Sequence, residues 1–133
     1  MDYRSSVDIH TEWDIVAARQ LGRNEAKKSG FGTVDQARIT TAISELARNI
    51  YLYAGKGKVE IERHSEKGCN GITIVASDNG PGITDMRKVM EDGFSTSGGL
   101  GAGMPGVKRL MDEFKVETEP GVGTTITVTK WLR

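Results

Sequence analysis

The chain has 133 residues, 14.5 kDa and 37% hydrophobic residues, which suits one domain spanning residues 1–133 and leaves no room for two. Eighteen Lys and Arg balance eighteen Asp and Glu, so the electrostatic footprint of a general nucleic-acid or membrane-surface binder is missing. No apolar run approaches a membrane span or signal-peptide core, and Cys69, the single cysteine, excludes an internal disulfide and stands at no metal-ligand spacing with His10 or His64, so the expectation is a cytoplasmic domain.

Residues Ser6 to Thr11 alternate, with Val7 and Ile9 on one face, and predict a first strand. From Glu12 to Ser29 the period is helical, with Trp13, Val16, Ala17 and Leu21 expected to face inward and Gly30 as the stop. Thr33-Val34-Asp35-Gln36 reads as a capping box opening a helix to about Tyr53, whose stripe is Ile39, Ile43, Leu46 and Ile50. Lys58 to His64 predicts a strand, and a turn through Glu66-Lys67-Gly68 leads to another at Ile72 to Asp78. The Ile72–Ala76 segment is expected to be central and buried on both faces. After the loop Asn79-Gly80-Pro81-Gly82 a short helix is expected over Asp85 to Glu91. Pro105 suits the first turn of a helix carrying Val107, Leu110, Met111 and Phe114. Lys115–Glu119, a Pro120-Gly121 turn and Thr124–Leu132 form a closing hairpin. The sum is an α+β, two-layer sandwich with helices on one face of a mixed, mostly antiparallel sheet.

Three stretches stand out chemically. Glu45 and Asn49, four apart on the second helix, lie roughly 80–120° round from the isoleucine stripe, at the edge of the core face. A carboxylate there can take a proton or orient a nucleophile, and the amide oxygen is a hard neutral ligand suited to Mg²⁺. The same pair also describes ordinary helix surface. Asp78, at the end of a buried strand before Gly80 and Gly82, has acceptor oxygens fixed in direction and could bond an exocyclic amine such as that of adenine. A plain Asp-Asn-Gly turn is the competing reading. Eight of the seventeen glycines lie between Gly80 and Gly106, and Gly98-Gly99-Leu100-Gly101-Ala102-Gly103 precedes the Pro105 helix. Its N–H groups, with the helix dipole behind them, can wrap phosphate oxygens, although a run like this is as often a flexible loop. No Gly-Lys-Ser/Thr follows, so this is no Walker loop.

Taken together, E-x-x-x-N on a helix, D-x-G-x-G after a strand, a glycine-rich lid and a late Gly123-Thr124 resemble the Bergerat ATP-binding fold of the GHKL superfamily. The stretches from Phe31 to Arg38, Glu45 to Ile50, Asp92 to Gly103 and Lys130 to Arg133 are similar to those of the switch serine/threonine kinases of the bacterial stressosome, within the anti-sigma-factor kinase family. The resemblance implies transfer of the ATP γ-phosphoryl group, with Mg²⁺, to STAS-domain scaffold or antagonist proteins. It also implies a second partner, a PP2C-type phosphatase regulator, and a partner switch between the two in stress signalling. On this reading Glu45 is the base, Asn49 the Mg²⁺ ligand, Asp78 the adenine reader, and Gly80 and Gly82 the close-approach positions. Gly99, Leu100, Gly101, Ala102 and Gly103 wrap the phosphates, and Thr124 joins the adenine-side network. One departure stands: anti-sigma kinases place an arginine near the lid, whereas Ser95-Thr96-Ser97-Gly98-Gly99 holds none. That leaves Lys108, Arg109 or a partner to supply the charge. An ATP-binding regulatory module without turnover and a detached histidine-kinase catalytic domain are the alternatives.

Overall fold

The computed structural model describes residues 3–66, 68–82 and 103–132. The order is β1 (Tyr3–Ile9), α1 (Glu12–Lys28), α2 (Thr33–Asn49), a wide π turn (Ile50–Ala54), β2 (Gly57–Glu66), β3 (Cys69–Asp78), α3 (Gly103–Leu110), β4 (Glu113–Glu119) and β5 (Gly123–Trp131). The five strands form one sheet in the order β1-β2-β3-β5-β4, and every pairing is antiparallel. The helix expected at Asp85–Glu91 and the loop from Gly93 to Ala102 lie outside the described residues.

Period-two burial builds the core. Val59 and Ile61 of β2, Ile72, Ile74 and Ala76 of β3, and Ile126 and Val128 of β5 point the same way. They share one apolar cluster with Ile39, Ile43, Leu46 and Ile50 of α2 and its turn, and with Met104 and Val107 of α3. Here the stripe on the second helix lies where its spacing predicted. The third strand is central, as expected, but it is buried on one face only. Thr73, Val75 and Ser77 alternate with its core residues and sit beside Thr125, Thr127 and Thr129 on a face that carries no helix among the described residues.

The first helix turns most of its expected face outward, and of the four residues expected inside Leu21 alone packs, partly buried, against the core. Ile15, Ala18, Gly22, Glu25 and Ala26 are buried, while Trp13 is 80% and Val16 49% exposed. The true inner stripe contains a glycine and a glutamate, which apolar counting passes over. Gly22 lets α1 approach α2 so closely that a side chain there would collide with Ile43 Cδ1. Glu25 is accommodated by polar partners: Ser5 Oγ donates to it at 3.0 Å, and Arg63 and Lys28 lie 3.5 and 3.6 Å away.

Helix starts also differ from the sequence reading. Thr33 is the first helical residue and Gly32 the cap, so the expected box does not form. Instead Gln36 Nε2 donates to the Phe31 carbonyl at 2.7 Å, tying the turn to its own approach segment. The reciprocal arrangement occurs at α1, where the Asp14 carboxylate accepts from the backbone N–H groups of His10 and Thr11, each at 2.8 Å. The third helix stops at Leu110, so Phe114 packs from β4 rather than from the helix. Lys130 Nζ donates to the Leu110 carbonyl at 2.9 Å and satisfies that helix end.

Two predictions follow from these contacts. The bonds from Thr11, then His10, hold the Asp14 carboxyl below its ordinary pKa, so its ionised form favours the folded state. That stability is complete above the unfolded value of about 3.9 and is lost as pH falls through the lower folded value. Thermal melts of Asp14→Asn should therefore trail wild type at neutral pH, and the gap should close in strong acid. Gly123 adopts φ 151°, and a Cβ there would meet the Asp78 carbonyl oxygen and lie 2.9 Å from Asn79 Cα. Gly123→Ala should lower the unfolding free energy by about 1–3 kcal/mol in urea titrations.

Candidate functional site

Glu45 lies one turn before the end of α2, and its side chain is only 5% exposed. Its position on the flank of the isoleucine stripe brings the carboxylate into the seam between α2 and α3. Arg48 Nη1 donates to Oε1 at 2.9 Å, and the Gly103 N–H donates to Oε2 at 3.3 Å. Gly103 opens α3, so this N–H is one of the groups the helix cannot satisfy internally, and it carries the positive end of the helix dipole. A carboxylate this deeply buried would be costly without such partners. Each oxygen can accept a second bond, so the group is held in one direction with lone pairs still open to a hydroxyl donor.

Asn49 closes α2. Its Nδ2 faces Met104 Sδ at 3.7 Å, and its buried Oδ1 has no hydrogen-bond partner among the described residues. A thioether is only an acceptor, so the amide is oriented with nitrogen toward sulfur and oxygen outward from that contact. An orphaned, buried carbonyl oxygen fits a hard cation such as Mg²⁺, which takes oxygen ligands and few protein groups.

The helical chain does not stop there. Residues Ile50–Ala54 form the wider turn, closed by the Gly55 N–H donating to the Ile50 carbonyl at 2.9 Å with Gly55 at φ 82°. The sequence reading anticipated the extent of this segment but not its change of pitch. The turn carries the chain from Asn49 to the end of β3, where a Cβ on Gly80 would lie 2.6 Å from Ala54 Cβ.

Asp78 is the last residue of β3 and pairs across the sheet with Thr124. The Gly80 N–H donates to Asp78 Oδ1 at 2.8 Å, which sets the plane of the carboxylate. The loop beyond it is tied down from the far side, because the Gly121 N–H donates to the Pro81 carbonyl at 2.8 Å. Gly82, at φ 76°, sits where a Cβ would come within 2.5 Å of the Glu119 carbonyl oxygen, so only glycine fits this close approach. Thr124 Oγ1 and Thr118 Oγ1 are 2.9 Å apart, and Thr118 lies 3.3 Å from the Gly123 carbonyl, to which it donates.

The structure thus gathers two groups of predicted residues and links them by one turn. Glu45, Asn49 and Gly103 meet at the α2–α3 seam, and Asp78, Gly80, Gly82 and Thr124 meet at the end of β3. Gly99, Leu100, Gly101 and Ala102 lie outside the described residues. Lys108 and Arg109 are exposed in the last turn of α3, the end away from Glu45. Arg48 is the side chain the sequence reading passed over; its signal was the i,i+3 spacing from Glu45.

Comparison with known proteins bears on the family and the fold. Residues 34–133 match the family described as histidine kinase-, DNA gyrase B-, and HSP90-like ATPase. The whole chain is 71% identical to the serine/threonine-protein kinase RsbT of Bacillus subtilis (strain 168), covering 100% of each. It is 36% identical to an anti-sigma F factor of Caldanaerobacter subterraneus subsp. tengcongensis over 72% of this chain and 70% of that one. The fold is that of the RsbU and RsbW domains of a Mycobacterium tuberculosis protein, with TM-score 0.67 and 17% identity over 100% of this chain and 33% of that chain. It is also found in the SiaB–SiaC complex of Pseudomonas aeruginosa, with TM-score 0.61 and 11% identity over 98% and 89%. A match that begins in the second helix and runs through the β3 loop to the last residue leaves one conclusion: the chain belongs to the histidine kinase-, DNA gyrase B- and HSP90-like ATPase family.

Proposed function

We propose that this protein is an ATP- and Mg²⁺-dependent serine/threonine protein kinase. The observation that carries the reading is the buried, paired Glu45 carboxylate, one helical turn before the orphaned Asn49 oxygen. A domain that only bound nucleotide would gain nothing from a directed base at that point. Full-length identity of 71% to a serine/threonine-protein kinase supports the same conclusion. Asn49 holds Mg²⁺ through Oδ1, Asp78 reads the adenine amine, and Gly80 and Gly82 let the backbone come close to the base. Thr124 supports Asp78 from the neighbouring strand. Gly99, Leu100, Gly101, Ala102 and Gly103 wrap the phosphates, and Glu45 orients the acceptor hydroxyl and accepts its proton. Mg²⁺, when bound, neutralises charge on the transferring phosphoryl group.

The substrates are STAS-domain scaffold or antagonist proteins of a stressosome, and a PP2C-type phosphatase regulator is the second partner. The relationship to RsbT and to anti-sigma factors supports this choice of partners. One domain over residues 1–133, working in the cytoplasm, suffices for this role; no described helix is long and apolar enough to cross a membrane. A phosphate on the STAS surface adds about −1.5 to −2 charges to the docking face, and repulsion from carboxylates there favours release.

The test is incubation with Mg-ATP and purified STAS proteins, read by intact mass. The product should survive acid, as phosphoserine does and phosphohistidine does not. Asp78→Asn should bind ATP about tenfold or more weakly by calorimetry, since a charge-assisted bond of roughly 1.5–3 kcal/mol is lost. Glu45→Gln should bind Mg-ATP normally and lose transfer by roughly 10²–10⁴-fold. Asn49→Ala should weaken nucleotide binding only when Mg²⁺ is present. Undiminished transfer by both α2 variants would overturn the assignment.

A further inference from the structure

Helix α2 contains two arginine–carboxylate pairs of identical spacing, and they differ in one respect. Arg38 and Asp35 meet at 2.9 Å on the surface, with side chains 50% and 31% exposed. Arg48 and Glu45 meet at the same 2.9 Å, but here the carboxylate is 5% exposed and the arginine 32%. The first is an ordinary solvated helix pair. The second ties a partly exposed guanidinium to a buried carboxylate whose other oxygen is already taken by the Gly103 N–H.

Helical geometry adds a direction. At about 100° per residue, Arg48 projects roughly 60° to one side of Glu45 and Asn49 roughly 40° to the other. Asn49, whose Nδ2 meets Met104 in the first turn of α3 at 3.7 Å, therefore marks one flank of Glu45, and Arg48 marks the opposite flank. We infer that Arg48 is the positioning residue for the Glu45 carboxylate. It holds Oε1 from the flank away from the nucleotide, so that the carboxylate keeps one orientation and a free lone pair for the acceptor hydroxyl. Among the described residues Glu45 would then retain only the 3.3 Å backbone bond, about which its carboxylate can rotate on its last torsion. A misdirected base costs rate rather than nucleotide affinity.

This inference rests on Glu45 acting as the base, and the experiment separates the two. Full-length wild type, Arg48→Met, Arg48→Lys, Arg38→Met and Glu45→Gln are assayed with Mg-ATP and a STAS-domain protein that wild type phosphorylates by intact mass. Affinity for Mg-ATP is measured by calorimetry alongside. Arg48→Met should lose at least tenfold in kcat, with KM for ATP and calorimetric affinity within twofold of wild type. Arg48→Lys should recover most of the loss, because the contact is a single N–H to one oxygen and not a fork. Arg38→Met should turn over at the wild-type rate. If Arg48→Met does not fold, Arg48→Gln replaces it under the same expectations. Full activity in the Met variant, equal losses in kcat and ATP affinity, no recovery by Lys, or an equal loss in Arg38→Met would each overturn the inference. Normal transfer by Glu45→Gln would remove the base assignment, and the Arg48 inference with it. An inactive Glu45→Gln beside a fully active Arg48→Met would leave the base in place and dismiss Arg48 alone.

Discussion

A buried carboxylate needs partners, and in this protein that requirement organises the functional half of the molecule. Glu45 lies at the edge of an apolar stripe, where moving it fully inward would leave its charge unpaired and moving it outward would cost its direction. Its second oxygen is met by the first N–H of α3, so the helix after the glycine-rich segment docks with its positive end against α2. Met104, the next residue, is thereby brought to Asn49. One charged group thus ties down the start of α3 and sets which amide lies beside its first turn.

The other half of the site depends on backbone approach rather than charge. The end of β3 is squeezed between the Ile50–Ala54 turn and the start of β5. Gly57, Gly80, Gly82 and Gly123 each occupy a place where a side chain would strike a neighbouring element. Closeness here brings Asp78 under the control of three segments: its own loop, the turn after α2, and the β4–β5 hairpin. A carboxylate so constrained presents a fixed acceptor direction, which recognition of a single amine requires. The widened turn after Asn49 joins this region to the Glu45 seam, so the two groups of candidate residues share one continuous stretch of chain.

Much of this was legible beforehand because it is written in short-range patterns. Strand alternation in β2 and β5, the Ile39-Ile43-Leu46-Ile50 stripe and the closing hairpin all follow from residues close in sequence. The spacing of Glu45 and Asn49 and the Asp78-to-Gly82 loop were equally visible. Apart from the local misplacement of the second helix's cap, the errors originate in long-range packing. The first helix offered two stripes, and the more apolar one, with Trp13 and Val16, lost to one containing Gly22 and Glu25. That outcome depends on Ile43 of α2 and on Ser5 and Arg63 of the first two strands, none of which is near in sequence. The third strand read as buried on both faces because Thr73 and Val75 are compatible with either environment.

By itself, then, the sequence determined the α+β class, the order of the strands and helices, and the residue types able to bind a nucleotide and move a proton. Those properties reside in periodicity, in glycine placement and in the chemistry of individual side chains, all readable one segment at a time. Only the tertiary structure decided which face of α1 turns inward, that Asn49 keeps a buried oxygen unsatisfied among the described residues, and that the Gly103 N–H meets the Glu45 oxygen that Arg48 leaves open. Burial and pairing are properties of several segments at once. The second oxygen of this carboxylate finds its partner when another helix, 58 residues later, closes against it.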